Sequence, residues 1–232
     1  MNRNRHEAVV MPRSFMANVF SWMFGALAIT AFISYYFSHS PELMASLISP
    51  TGGLSTLGWV VLIAPVGLAL LMSFGINKLS AAIMTFIFII YSLLMGMSLS
   101  FIFLMYTANS IYVTFGVSAA MFGVMALVGY FTTTDLTKFG SIMMMGLVGI
   151  IIASVINFFM HSETMGYIIS IVGVLVFTGL TAYDVQKLKN IAGSLDHDPE
   201  MKKKATIMGA LNLYLDFINL FLFLLRFLGD RK

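Results

Sequence analysis

Residues 81–105 read AAIMTFIFIIYSLLMGMSLSFIFLM, a run of 25 residues that contains no charged side chain. An α-helix rises about 1.5 Å per residue, so a run of this length can cross the roughly 30 Å hydrocarbon core of a bilayer. Only helices and closed barrels satisfy every backbone hydrogen bond in lipid, and the alternating polarity of a barrel strand is missing here. The run therefore predicts a membrane-spanning helix.

Similar apolar runs lie on both sides of this one. Of the 232 residues, 59% are hydrophobic and only 10% are charged, which is far from the composition of soluble proteins. The predicted spans cover residues 19–37, 57–76, 81–105, 111–132, 141–160, 166–183 and 207–228. We predict an all-α polytopic membrane protein whose seven-helix transmembrane domain occupies residues 19–228. Residues 1–18 form a cytoplasmic tail in this prediction, and residues 229–232 form a short C-terminal tail.

The composition also excludes several classes of function. Cysteine is absent, which rules out disulfides, thiolate zinc sites and cysteine nucleophiles. The four histidines stand in tails or connectors without metal-site spacing, and no serine or threonine has the setting of a catalytic nucleophile. The net charge of +3 comes from residues flanking apolar runs, where membrane orientation explains it. We therefore expect no enzyme activity, no bound cofactor and no nucleic acid partner.

Basic residues mark the N-terminal tail and every second connector. They are Arg3, Arg5, Arg13, Lys78, Lys138, Lys187, Lys189, Lys202, Lys203 and Lys204. By the positive-inside rule, this pattern places the N-terminus in the cytoplasm and the connectors around Glu42, Asn109 and Glu163 outside. The last basic residues, from Arg226 to Lys232, would then lie outside as well. A re-entrant last segment is the alternative, but residues 207–228 are long enough for a full span, which we favour.

Two acids fall within or at the end of predicted spans. Asp184 ends the sixth span, and Asp216 lies well inside the seventh, where Asn212 and Asn219 recur at helical spacing with it. A carboxylate near the centre of a membrane helix costs roughly 2.5–3.5 kcal/mol, so it needs a partner. A structural hydrogen-bonding role is the alternative for each acid alone.

The two acids are brought together by the predicted hairpin between the sixth and seventh spans. Asp198, Pro199 and Glu200 have the order of a helix cap followed by proline, so the chain turns back there. Two close carboxylates in a poorly hydrated interior cannot both ionise cheaply, and we expect Asp184 and Asp216 to share one proton. Loss of that proton would part the two helices or attract a cation such as calcium, which carboxylate oxygens bind.

Two passages carry a family resemblance. They are residues 178–188, TGLTAYDVQKL, and residues 210–221, ALNLYLDFINLF, which Arg226 follows shortly after. Both resemble passages of the Bax inhibitor-1 family, and the chain looks like a bacterial member of it. The length and the seven-span layout extend the similarity over nearly the whole chain. The second passage is the more specific of the two.

The resemblance implies a seven-helix bundle with the C-terminal helix at its centre that passes calcium down its gradient in a pH-dependent way. The paired aspartates of the family match Asp184 and Asp216. The resemblance implies that these two residues form the proton sensor and the gate, and that they contact calcium transiently. Their polar neighbours Asn212, Asn219, Tyr183 and Tyr214 are then expected to line the route or its hydrogen-bond network. The resemblance also links the family to suppression of eukaryotic cell death and, in some bacterial members, to a membrane protease, so such a protease is a candidate partner.

One departure concerns the counter-charge of the pair. Bacterial relatives often carry an arginine near the cytoplasmic end of the second helix, whereas residues 73–78 here read SFGINK. Lys78 is the only basic residue in that run, and a lysine has a more compact charge than arginine. Lys78 and Arg226 are therefore the candidate counter-charges, with a headgroup contact as the alternative for Lys78.

The sequence thus predicts a pH-sensitive calcium leak channel or cation transporter in a bacterial inner membrane. It interacts with the lipid bilayer, calcium and protons, and its oligomeric state does not follow from the sequence. Two alternatives stay open. One is a non-conducting membrane protein that regulates a protease or another complex, and the other is a proton-coupled transporter of a small solute.

Overall fold

The computed structural model describes residues 3–50, 52–195 and 197–232, with side chains from residue 13 onward. This part of the chain is almost entirely helical, with two isolated β-bridges and no β-strand. The helices are α1 (Arg3–Ser38), α2 (Pro41–Leu47), α3 (Thr56–Gly75), α4 (Ala81–Leu99), α5 (Ile102–Met105), α6 (Ala108–Phe131), α7 (Thr137–Met160), α8 (Glu163–Ile191) and α9 (Pro199–Leu228). A 3-10 turn at Ala192–Leu195 follows α8.

Seven helical segments in the described residues are long and apolar enough to cross a membrane. They are Arg13–Ser38, Thr56–Gly75, Ala81–Met105, Ala108–Phe131, Thr137–Met160, Glu163–Leu195 and Pro199–Leu228. The expected all-α, seven-span fold is confirmed. The last span is the most enclosed, since 67% of its most apolar window is buried, against 11% for the span at Thr137–Met160.

Four of the seven spans begin at a side chain that caps the helix. Hydroxyl oxygens of Ser55, Ser80 and Thr107 accept backbone N–H bonds at the starts of α3, α4 and α6. Asp198 caps α9 by accepting from the N–H of Met201 at 2.9 Å, with Pro199 as the first helical residue. The predicted turn between the last two spans is therefore confirmed.

Several helix boundaries differ from the predicted ones. The first helix begins at Arg3, inside the predicted tail, although the side chains of Arg3 and Arg5 lie outside the described residues. The sixth runs to Ile191, so Asp184 lies within a helix and not at its end. Polar ends stay helical in the headgroup region, and apolar runs mark only the middle of each helix. In the third span, the hydroxyl of Ser100 bonds to the Met97 carbonyl at 2.6 Å, where α4 gives way to α5.

The described residues divide into two compact units, and α9 contributes to both. The first unit consists of Met1–Met105, Ala192–Tyr214 and Lys232. In it, α4 packs against α1 and α3, while the 3-10 turn contacts α1. Gly96 of α4 lies against the backbone of Thr30 and the side chain of Ile33, and its missing side chain allows this close approach.

The second unit consists of Tyr106–Ile191 and Leu215–Arg231. Its α8 packs against both α6 and α7. The residues after α9 up to Arg231 belong to it as well, and the carbonyl of Asp230 accepts from the N–H of Thr107 at 3.1 Å, just before α6. The N–H of Asp230 donates to the hydroxyl of Ser110 at 3.0 Å. The last helix is therefore continuous up to a tail that meets the start of α6.

Candidate functional site

Asp216 is the most enclosed acid among the described residues of the second unit. Its side chain is only 5% exposed, and its Oδ2 atom has no hydrogen-bond partner in the described part of the chain. The next residue, Phe217, makes edge-to-face contacts with Phe115 and Phe122 of α6. This aromatic packing fixes the turn of α9 that carries the carboxyl, in an apolar setting where an unpaired charge is costly.

Asp184 lies on α8 in the same unit and is half-buried. The charge of its carboxyl interacts electrostatically with the carboxyl of Asp216. The ammonium of Lys187, one turn later, interacts electrostatically with Asp184 itself. The two acids that the sequence singled out thus lie within electrostatic reach of each other in the second unit, with one sealed and the other partly open. The Lys187 ammonium also lies 5.8 Å from the ring centre of Tyr183.

The turn of α8 just before Asp184 is held on two sides. Gly129 of α6 lies against the backbone of Ala182, so closely that a Cβ there would clash with the carbonyl oxygen. Gly140 of α7 lies in the same way against the ring of Tyr183. Because both approaches require glycine, they fix the position of α8 next to the carboxyl.

The turn after Asp184 holds the connector from α6 to α7. The buried side chain of Gln186 accepts from the N–H of Leu136 at 2.8 Å and donates to the carbonyl of Thr134 at 2.7 Å. Lys189 donates to the carbonyl of Tyr130 at 2.7 Å, in the last turn of α6. These bonds satisfy backbone groups that helix ends leave open. Movement of α8 at Asp184 would therefore strain this connector.

The same connector contains an exposed acid in a local cap. Asp135 accepts from the backbone N–H of Thr137 at 2.9 Å and from its hydroxyl at 2.6 Å. These hydrogen bonds, the side-chain one foremost, hold the pKa of Asp135 below its ordinary value, because they favour the ionised form.

A separate polar cluster lies inside the first unit. The hydroxyl of Thr30 donates to the carbonyl of Ser92 at 2.9 Å and lies 2.8 Å from the hydroxyl of Tyr214. Because the single Thr30 proton is used for Ser92, Tyr214 must donate the second bond. Ser34, one turn along α1, is buried with no partner for its Oγ atom among the described residues. Tyr214 therefore belongs to a hydrogen-bond network of the first unit, and its expected role beside the acid pair stays a prediction.

The other predicted polar residues take different positions. Asn219 donates to the carbonyl of Leu215 at 2.8 Å, within its own helix, and Asn212 is half-buried on the same helix. Lys78 is exposed in the turn after α3, and its role as a counter-charge stays a prediction. Arg226 lies against Gly166, at the start of α8, and about 15 Å along α9 from Asp216. That separation is too large for a direct ion pair.

Several contacts of the site have no signal in a single sequence. Gln186 lies inside the first family-like passage and Lys189 follows directly after it, but their partners lie 50 and 59 residues earlier in the chain. Thr30 is one hydroxyl in an apolar span, and a lone threonine there predicts no partner. Thr30 lies on the face of α1 that contacts Gly96 of α4, and this packing explains how its hydroxyl reaches partners on other helices.

Comparisons with known proteins agree over nearly the whole chain. A family profile described as Inhibitor of apoptosis-promoting Bax1 matches residues 12–232. The chain is 46% identical to the inner membrane protein YbhL of Escherichia coli K12 over 233 aligned residues, which cover 98% of each protein. It is 44% identical to an uncharacterized protein of Borreliella burgdorferi, with 97% of this chain and 96% of the relative covered. A Rickettsia prowazekii protein, RP147, is 41% identical over 95% of this chain and 91% of its own length.

Proposed function

This chain belongs to the Bax inhibitor-1 family of integral membrane proteins, and from that premise we propose that it is a pH-sensitive calcium leak channel gated by Asp184 and Asp216. The family's association with calcium leak supports the choice of permeant ion. The proposal includes no catalytic step and no resident cofactor. It places the protein in a bacterial inner membrane, as the name of the Escherichia coli relative suggests, with the N-terminus in the cytoplasm.

One observation carries the proposal: the carboxyl of Asp216 is buried, has an unpartnered oxygen among the described residues, and is acted on by the charge of Asp184. A lone buried carboxylate would be too costly to keep ionised. A proton shared by the two carboxyls removes one charge and supplies a donor for the open oxygen. The pair is then a closed latch that joins α8 and α9.

Loss of the shared proton leaves two like charges in an apolar setting. Their repulsion favours separation of α8 and α9, and Asp184, the more open of the two, is the first carboxylate that a cation would meet. Calcium binds carboxylate oxygens and would neutralise the repulsion as it passes. In this mechanism the leak increases as the pH rises through the titration of the pair, because deprotonation opens the latch.

The route of the ion is the finer part of the proposal. Asn212 and Asn219 lie on the face of α9 that carries Asp216, and their amide oxygens are suitable for transient contacts with calcium. Tyr183, next to Asp184 in sequence, supplies an aromatic wall and a hydroxyl group, whereas the hydroxyl of Tyr214 is used for the bond to Thr30 in the first unit. Lys78 is the candidate counter-charge that would set the pH at which the latch opens.

The test is calcium entry into dye-loaded liposomes that contain the purified full-length protein, measured across a pH series. We expect entry that increases with pH in the wild type. In Asp216→Asn and Asp184→Asn, the repulsion is absent, so entry should stay low and lose its pH dependence. Glu42→Gln, which removes an exposed acid of α2, is the matched control and should behave as the wild type does.

Other outcomes of this experiment would replace the proposal. An unaltered pH profile in Asp216→Asn would remove the acid pair from gating. Absence of calcium entry from well-folded wild-type protein would favour the alternative of a non-conducting regulator of a membrane protease or another complex. Saturable uptake of a solute together with proton movement would identify a transporter.

A further inference from the structure

A polar cavity of about 660 Å³ lies in the second unit, far along the spans from the acid pair. It opens where α7 ends, α8 begins and α9 ends, and Arg226 and Arg231 line it together with Asn157 and Glu163. Gly166, at this end of α8, is 18 residues before Asp184, or about 27 Å along the helix. The cavity therefore belongs to the headgroup depth of the membrane and not to the gate.

The two arginines give the lining of the cavity a net positive charge. Within the described part of the chain, no hydrogen bond or ion pair occupies either guanidinium group. Glu163 contributes one negative charge to the lining, so two arginines and one glutamate leave a formal charge of +1 with His161 neutral. A guanidinium presents a planar fork of donors that matches two oxygens of a phosphate group.

The start of α8 adds backbone donors to the same cavity. The hydroxyl of Ser162 accepts from the N–H of Met165 at 3.2 Å, and its carbonyl accepts from the N–H of Gly166 at 3.0 Å. The N–H groups of Glu163 and Thr164 come before these two bonded N–H groups in the chain. They have no intrahelical partner, as is general for the first N–H groups of a helix. A helix start of this kind favours an anion.

Gly166 brings the arginine to these donors. A Cβ at this position would collide with the guanidinium of Arg226 and would lie 3.4 Å from the amide nitrogen of Asn157. The oxygen of that amide already accepts from the N–H of Ser162 at 3.2 Å, so its nitrogen faces the arginine as a further donor. The arrangement collects donors at one point and needs glycine to do so.

The rim of the cavity is apolar on the side of the bilayer. Phe158 is 72% exposed and Tyr167 is 51% exposed, and both line the cavity. Exposed Val155 and Ile151 continue this surface along α7 in the direction of the hydrocarbon core. A phosphate held by the arginines would thus have an apolar path for attached acyl chains, which a free phosphate would not use.

We propose that this cavity binds the phosphodiester headgroup of an anionic phospholipid, with Arg226 and Arg231 as ligands of the phosphate oxygens and the Phe158 surface along its acyl chains. Free inorganic phosphate shares the oxygen chemistry but lacks the chains. The proposal does not depend on calcium conduction, because it concerns the other end of the spans.

The test is native mass spectrometry of the purified full-length protein titrated with phosphatidylglycerol. We expect one retained lipid that binds several-fold more tightly than phosphatidylcholine, whose choline cation opposes the arginines. Arg226→Gln should weaken retention about tenfold, since one charge-assisted contact is lost. Arg226→Lys should give an intermediate loss, because the charge stays but the fork does not. Lys138→Gln, an exposed residue outside the cavity, removes the same charge and should have no effect.

Gly166→Ala tests the geometry at constant charge. The added methyl displaces the guanidinium, so retention should fall, while the mass spectrum and circular dichroism report whether the protein is intact. Equal retention in the wild type and in a variant that combines Arg226→Gln with Arg231→Gln would overturn the proposal. Displacement of the lipid by inorganic phosphate at concentrations below that of the lipid would identify free phosphate as the ligand and overturn the lipid assignment.

Discussion

The hydroxyl of Tyr214 lies 2.8 Å from Oγ1 of Thr30, and it is the donor in that bond. Thr30 is committed to the Ser92 carbonyl, which links α1, α4 and the first half of α9 within the first unit. Edge-to-face contacts of the Tyr214 ring with Tyr91, at 5.5 Å between centroids, add packing to the hydrogen bond.

Removal of this donor should destabilise the first unit. We expect Tyr214→Phe to lower the free energy of unfolding by roughly 0.5–1.5 kcal/mol, because the ring stays while Thr30 loses its donor. Thermal unfolding in detergent measures the change. Tyr112→Phe, at an exposed tyrosine of α6, is the control and should leave stability unchanged. Equal stability of Tyr214→Phe and the wild type would mean that the bond is not made.

Gly129 should be essential for the contact between α6 and α8. We expect Gly129→Ala to destabilise the protein by about 1–3 kcal/mol, since the methyl would overlap the backbone of Ala182, which cannot rotate away. Gly123→Ala is the matched control on the same helix, because no atom lies within 4 Å of its added Cβ. It should be neutral or stabilising by up to about 1 kcal/mol. Thermal unfolding measures both variants, and equal unfolding temperatures for Gly129→Ala and Gly123→Ala would contradict this prediction.

Gln186 should protect the connector between α6 and α7. We expect Gln186→Leu to leave the N–H of Leu136 and the carbonyl of Thr134 without partners, at a cost of about 1–3 kcal/mol. Hydrogen exchange of the Leu136 amide should become faster, while amides in the middle of α8 keep their protection. Asn190→Leu, at an exposed position on the same helix, should leave this exchange unchanged. Slow exchange in Gln186→Leu would contradict the role of the side chain.

The pKa of Asp135 should rise in Thr137→Val, because the side-chain hydrogen bond is the largest cause of its depression. A depressed pKa in the folded state means that the contribution of Asp135 to stability is present at neutral pH. It is lost as the pH falls through the folded pKa. Carboxyl NMR titration of aspartate-labelled protein measures the shift, with Thr133→Val as the control at an exposed neighbour. An unchanged pKa in Thr137→Val would refute the assignment.

Much of this fold is predictable because lipid imposes simple rules on sequence. Charge-free runs give the spans, and the order of Asp198 and Pro199 gives the start of α9. The sequence also places Asp216 inside a span, where its cost demands a partner. Helix ends were less predictable, since polar residues continue α8 to Ile191 beyond its apolar run.

There is a physical reason why the details of the site are not predictable from the sequence. Side-chain bonds to backbone groups, such as that of Lys189 to Tyr130, depend on how helices distant in sequence pack, which periodicity does not encode. The spacing of Asn219 placed it on the face of Asp216, but its amide bonds to Leu215 of its own helix. The family resemblance makes Arg226 a candidate counter-charge, whereas its position, about 15 Å along α9 from Asp216, places it against Gly166.

The central claim is that Asp184 and Asp216 compete for a single proton. Infrared difference spectroscopy across a pH titration in nanodiscs tests it most directly, because it detects a protonated carboxyl as it loses its proton. Besides the signals of the other acids, the account predicts one carboxyl signal of the pair, which Asp216→Asn abolishes, Asp184→Asn moves to a different pH, and Glu42→Gln leaves in place. A signal that titrates at the same pH in Asp184→Asn as in the wild type would contradict the account, since the two acids would then ionise independently.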